Sequence, residues 1–118
     1  QVAIITGGYT DSVKMRFERL GVKYIYMRSS VKMKDYTDFM NRTGLKPEEV
    51  LYAGDDIPDY EVMKLVGLPV APADAASEIK DISLYISSKN GGEGIARDVI
   101  EQTMKTQGTW LTGEAFGW

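Results

Sequence analysis

Four apolar residues, Val50 to Ala53, run into Gly54 and then deliver three carboxylates within five positions: Asp55, Asp56 and Asp59. After Pro58 the spacing of Val62, Met63 and Val66 turns helical, and Gly67 ends the segment. A strand, an acidic turn and a helix in that order fit an open α/β sheet with its chemistry at the carboxyl ends of the strands. Concentrated carboxylates repel one another. A hard, oxygen-seeking divalent cation, Mg²⁺ ahead of Ca²⁺, relieves that repulsion. The same residues also suit a plain turn in which Asp59 caps the next helix, and the segment alone leaves both readings open.

The remaining chain repeats the strand-then-helix order. Val2-Ala3-Ile4-Ile5 is continuously apolar, as in a strand buried on both faces of a parallel sheet. It stops at Thr6-Gly7-Gly8. Tyr9 and Thr10 open a helix with Val13, Phe17 and Leu20 on one side, closed by Gly21. Val22 to Met27 reads as a second strand, Arg28-Ser29-Ser30 as a polar break, and Met33 to Thr43 as a second helix built on Tyr36, Phe39, Met40 and Thr43. Lys46 to Glu49 forms a turn into the acidic strand. Leu68 to Ala71 is a short strand whose Pro69 should limit its pairing. Ala73 to Ile79 suggests a brief helix with Asp74 in its first turn, and Leu84 to Ile86 a last strand. Asn90 to Gly94 is a loop before a helix over 95–105, with Ile95, Val99, Ile100 and Thr103 facing inward. The alternation predicts one α/β domain over 1–108 with a mostly parallel sheet, followed by an aromatic tail over 109–118. Trp110, Phe116 and Trp118 in that tail call for a groove on this subunit or another.

The chain has 118 residues, no cysteine and no histidine. Disulfides, zinc–thiolate sites, cysteine nucleophiles and histidine-based triads are therefore excluded within it. A net charge of −3 with scattered lysines and arginines argues against nucleic acid as partner. No stretch is long and apolar enough for a membrane helix, and the start lacks a signal-peptide pattern, so a cytoplasmic protein is expected. What remains is carboxylates, Lys, Arg, hydroxyls, backbone amides and an oxygen-bound metal. That set suits phosphoryl transfer.

Thr6-Gly7-Gly8 offers a hydroxyl and consecutive N–H groups at a helix start, an arrangement that receives phosphate, although such a turn needs glycine for geometry alone. Lys32 opens the second helix, where an ammonium beside the acids would neutralise a phosphoryl group; Lys34 is its competitor. Arg16 on the first helix is a candidate clamp for a distal anion. Each of these basic residues would equally well be an ordinary solvated side chain.

In order and spacing, Ile4-Ile5-Thr6-Gly7, Lys32 and Gly54-Asp55-Asp56-Ile57-Pro58-Asp59 resemble motifs two, three and four of the haloacid dehalogenase superfamily. Leu20-Gly21-Val22, Gly44 to Val50, Val66-Gly67-Leu68, Gly91 to Gly94 and Gln107-Gly108 are similar to segments of its 3-deoxy-D-manno-octulosonate 8-phosphate phosphatases. The resemblance implies a capless, Rossmann-like three-layer sandwich and a Mg²⁺-dependent phosphatase of an acidic sugar phosphate in lipopolysaccharide biosynthesis. A related branch takes nonulosonate 9-phosphates. It further implies that Thr6 and the Gly7 amide hold phosphoryl oxygens, that Lys32 pairs with phosphate and carboxylate, and that Asp55 ligates Mg²⁺. Asp56 and Asp59 would support the metal, its water or the strand end, and Arg16 would contact substrate. A homotetramer with tail-mediated contacts is implied as well.

Two departures stand out. Gly8 occupies a position at which many relatives carry an arginine, so one substrate contact is absent or supplied elsewhere. The family's first motif, Asp-x-Asp, which carries the nucleophile and the acid/base, matches none of Asp11, Asp35, Asp38, Asp55, Asp56, Asp59, Asp74, Asp81 or Asp98. The expectation is a carboxy-terminal portion of an enzyme, lacking the first strand and flap and inactive alone. The competing expectations are a non-catalytic phosphatase-like module in oligomerisation or regulation, and a phospho-acceptor receiver domain.

Overall fold

The computed structural model describes residues 1–113. Phe116 and Trp118, two of the three tail aromatics, lie outside the described residues. Strand β1 (Ala3–Ile5) leads to helix α1 (Asp11–Arg19), β2 (Tyr24–Tyr26) to α2 (Lys32–Thr43), and β3 (Leu51–Ala53) through a 3-10 turn at Ile57–Asp59 to α3 (Tyr60–Met63). Strand β4 (Leu68–Ala71), helix α4 (Ser77–Ile82), strand β5 (Tyr85–Ile86) and helix α5 (Ile95–Gln107) complete the order. Every strand pair is parallel.

The strands form two sheets rather than the single one expected. β1 pairs with β2, and separately β3, β4 and β5 lie side by side in that order. No ladder joins β1 to β3 among the described residues. Helix α2 spans the break from one face: Tyr36 packs with Val62 and Val66, against Ile5 of β1 and Tyr52 of β3. The denser cluster, Met63, Ala71, Ala75 and Ile79, belongs to the three-stranded half.

Several sequence expectations are corrected. Pro69 does not confine β4 to an edge; β4 is the central strand of its sheet. The amides of Leu68 and Gly54 carry the ladder to β3, bonding Val50 and Val70 carbonyls. The missing Pro69 N–H faces the other side, just before the β5 pairing begins at Tyr85, and the Pro69 carbonyl still accepts from Leu84 N–H at 2.9 Å. The helix expected over 73–79 starts later, at Ser77. Asp74 is occupied elsewhere, accepting from Gly91 N–H at 2.8 Å. On α5, Val99 is buried but Ile100 is exposed. On α1 no residue is buried, and Leu20 is 70% exposed.

Candidate active site

The acidic turn is shaped by a carboxylate that folds back on its own strand. Asp59 is buried, 2% exposed, and every direction around its carboxyl group is used. Oδ1 accepts from Lys32 Nζ at 2.6 Å and from the Tyr52 hydroxyl at 2.8 Å; Oδ2 accepts from the Asp55 and Asp56 amides at 3.1 and 3.3 Å. Burial by itself pushes a carboxyl pKa up, but here the Lys32 ammonium, the Tyr52 hydroxyl and the Asp55 amide outweigh it. Asp59 is thus held below the ordinary carboxylate value. Tyr52 is pushed the opposite way, first by burial and then by the neighbouring Asp59 charge, so its hydroxyl stays protonated and donates.

Gly54 makes this possible by close approach. A β-carbon there would lie 2.6 Å from Asp59 Cβ and 2.7 Å from Met63 Sδ, distances no side chain tolerates. Gly67 plays a similar part at the other end of α3, where a β-carbon would run into the Glu48 backbone.

The three aspartates therefore differ in role. Asp59 locks the strand end. Asp56 Oδ1 accepts from Ile57 N–H at 2.8 Å and caps the 3-10 turn. Asp55 is exposed, and its carboxylate forms no hydrogen bond or ion pair among the described residues. Chemically it is a hard oxygen donor free to meet a divalent cation, so it fits magnesium. The described residues include no group of three acidic side chains placed to hold a metal ion together.

Lys32 and Lys34 are separated by the structure. Lys32 is the first residue of α2, its side chain 17% exposed and paired to Asp59, whereas Lys34 is exposed and its side chain makes no hydrogen bond or ion pair among the described residues. At the end of β1, Thr6 N–H donates to Tyr26 O at 2.9 Å and Thr6 O accepts from Ser29 N–H at 2.9 Å. The Gly8 amide donates to Thr6 Oγ1 at 3.2 Å, which leaves the hydroxyl proton available to a ligand. Gly7 is exposed between them. Ser29 N–H thus ties the turn before α2 to Thr6, and three residues later Lys32 ties the start of α2 to Asp59, whose Oδ2 holds the Asp55 amide. Thr6 directly follows β1, and Asp55 lies two residues beyond β3. Arg16 lies in the last turn of α1, five residues beyond the helix start, and its side chain forms no hydrogen bond or ion pair with these groups among the described residues.

Tyr52, Ser29 and Arg28 were not singled out from sequence. A tyrosine inside an otherwise apolar strand needs a partner for its hydroxyl, and that is the signal that could have found Tyr52. Ser29 Oγ is buried without a partner, and nothing in the local sequence foretells it.

Residues 9–99 match a family model described as haloacid dehalogenase-like hydrolase. The 3-deoxy-D-manno-octulosonate 8-phosphate phosphatase KdsC of Escherichia coli K12 is 37% identical over 108 residues, 92% of this chain and 57% of that protein. The chain thus spans little more than half the length of such relatives. The crystal structure of the corresponding phosphatase from Yersinia pestis superposes with a TM-score of 0.89 at 35% identity, over 92% of this chain and 59% of that one. A Moraxella catarrhalis phosphatase of the same name, solved with magnesium, phosphate and a KDO molecule, gives 0.87 at 29% identity, over 92% and 62%. The cobalt-bound Haemophilus influenzae enzyme gives 0.89 at 27%, over 100% and 71%.

Proposed function

Because the chain belongs to the haloacid dehalogenase-like hydrolases, among the KdsC phosphatases, we propose that its protein is a Mg²⁺-dependent phosphomonoesterase of an acidic sugar phosphate. The substrate we favour is 3-deoxy-D-manno-octulosonate 8-phosphate, in the cytoplasm and in lipopolysaccharide biosynthesis. The observation that carries the reading is the Lys32–Asp59 pair, which joins the start of α2 to the acidic turn after β3, with Ser29, three residues before Lys32, bonded to Thr6. Supporting it is the division of labour among the acids: two are consumed in holding the turn, and Asp55 is left to bind.

In this reading the Thr6 hydroxyl and the Gly7 and Gly8 backbone take the phosphoryl oxygens. Lys32 Nζ, fixed at one point by Asp59, turns its remaining N–H donors to the transferring group. Asp55 ligates the metal, while Asp56 and Asp59 keep its backbone in place. Bound magnesium supplies positive charge against the phosphoryl oxygens. In this reading the nucleophilic aspartate, from polypeptide outside residues 1–118, displaces the sugar oxygen from phosphorus while its acid/base partner gives that oxygen a proton, and water then cleaves the aspartyl phosphate to release phosphate. The break between β1 and β3 is where that strand would lie, completing a capless three-layer sandwich. Arg16 remains a candidate for a distal anion, and a homotetramer would give Trp110 and the tail a neighbouring surface.

The test is Asp55→Ala in the complete protein. Magnesium-dependent release of phosphate from the octulosonate phosphate should fall at least ~100-fold, in line with loss of a group acting on the transition-state charge. Unchanged magnesium-dependent turnover would remove the assignment.

A further inference from the structure

We propose that Arg28 is a second anion contact of this site, its guanidinium receiving the non-reacting carboxylate of an acidic sugar phosphate whose phosphoryl group lies on Thr6 and Lys32. The inference rests on the phosphatase reading above and deepens it to a specificity residue.

Three independent features of the Arg28 position lead there. Its backbone adopts φ 54°, the left-handed region in which a β-carbon is crowded and glycine is the default. The turn therefore asks for glycine, and the sequence places a long cation there instead. Next, the turn is tied to the Thr6 loop from both sides of Gly7. Arg28 N–H donates to Gly8 O at 3.2 Å, and the following amide, Ser29 N–H, donates to Thr6 O. Finally, the guanidinium carbon sits 4.3 Å from the centroid of the Tyr9 ring. A guanidinium over a ring face is held without using its N–H donors, which can then grip a carboxylate through two parallel bonds.

Comparison with Arg42 sharpens the point. Arg42 also stacks on a tyrosine, Tyr24, at 4.9 Å, but it has Asp38 at 3.7 Å and the Tyr26 hydroxyl at 3.4 Å. Arg28 pairs with no carboxylate among the described residues. Asp11, beside the same ring, accepts from the Tyr9 hydroxyl. Position 8 adds no bulk beside the Thr6 hydroxyl. Gly8 is not in the left-handed region, and a β-carbon there would meet only Thr6 Oγ1, at 3.7 Å. Neither backbone geometry nor crowding demands glycine at position 8, so its effect is to leave the Thr6 hydroxyl open toward Arg28. A cation missing from position 8 is thereby supplied from the neighbouring strand end.

The experiment uses the complete protein with magnesium and compares Arg28→Gly and Arg28→Lys with the unsubstituted enzyme and with Arg42→Ala. The readout is the ratio of kcat/KM for the acidic octulosonate phosphate to that for a neutral sugar phosphate such as glucose 6-phosphate. Arg28→Gly should lower this ratio at least tenfold through KM, with no fall in melting temperature, because glycine suits the left-handed turn. Arg28→Lys should recover only part of it, and Arg42→Ala none of the loss. Calorimetric titration with the free octulosonate reads the same contact without turnover, and Arg28→Gly should weaken it at least tenfold. An unmoved ratio and unmoved binding in an active enzyme overturn the role of Arg28 alone. An unsubstituted enzyme that neither hydrolyses the sugar phosphates nor binds the octulosonate overturns the phosphatase reading with it.

Discussion

The two halves of the molecule carry the same strand–helix grammar and pack very differently. In the half built on β3, β4 and β5, Val62, Met63, Val70, Ala71 and Ile79 are all at most 1% exposed. In the half built on β1 and β2, every strand residue is only half-buried, and α1 buries nothing. Continuous apolar strands are sequence signatures of burial on both faces, and β1 has that composition without that burial. The difference teaches that the second half makes its own core, while the first borrows one. What it borrows comes through α2, whose Tyr36 and Phe39 are buried and whose first residue, Lys32, grips Asp59 across the break.

The largest break in this comparison should come from that grip. Lys32→Ala leaves Asp59 as a buried carboxylate without its cation, and breaking a buried pair by removing one partner costs about 3–5 kcal/mol. Urea denaturation should register a loss of that size, and Lys34→Ala, on the exposed side of the same helix, should stay within about 0.5 kcal/mol. A Lys32→Ala protein of undiminished stability would mean that the pair does not join the halves.

Next in size is a matched pair of truncations. Ile79→Ala removes a fully buried side chain from the dense cluster and should cost about 2–5 kcal/mol. Leu20→Ala, at the exposed end of α1, should cost no more than about 0.5 kcal/mol. The same chemistry is deleted in both, so the ratio of the two losses measures how unequal the halves are. Equal losses by chemical denaturation would show that α1 has a covering these burial values do not reveal.

How much of this was legible beforehand follows the same line. Strands and helices announced themselves wherever the pattern was local: α2 stops at Thr43 as expected, closed by Gly44 at φ 69°, and Thr10 caps α1 by accepting from Val13 N–H. Position 69 misled because a proline's cost depends on which side of a strand its nitrogen faces, and that is a tertiary fact. The third helix shrank to four residues because the acidic turn takes a 3-10 course first, drawn tight by Asp59. Of the site, Thr6, Lys32 and the acids were readable as a series of residue types. Their separate duties were not, because three nearby aspartates look alike until one of them is buried. Arg28 was passed over as part of a polar break, since its left-handed backbone and its stacking on Tyr9 involve residues nineteen positions apart.

The smallest expected effect tests whether Asp59 is a lock in solution as well as in geometry. Its pKa in the folded protein lies below the ordinary 3.8 of an unfolded aspartate, because Lys32, Tyr52 and the Asp55 amide more than offset its burial. Below 3.8 the unfolded chain therefore takes up a proton that the folded chain still refuses. Stability then rises with pH across that interval. The contribution is complete above about pH 5 and is lost as pH falls through the folded value. Stability of the unsubstituted protein should accordingly drop more steeply below pH 4 than that of Asp59→Asn, whose own loss is already present at neutral pH. Chemical denaturation at pH 7, 5, 4 and 3 gives both curves. Parallel curves would mean that Asp59 titrates as an ordinary carboxylate, and the bridge between the two halves would then rest on the apolar contacts of α2 alone.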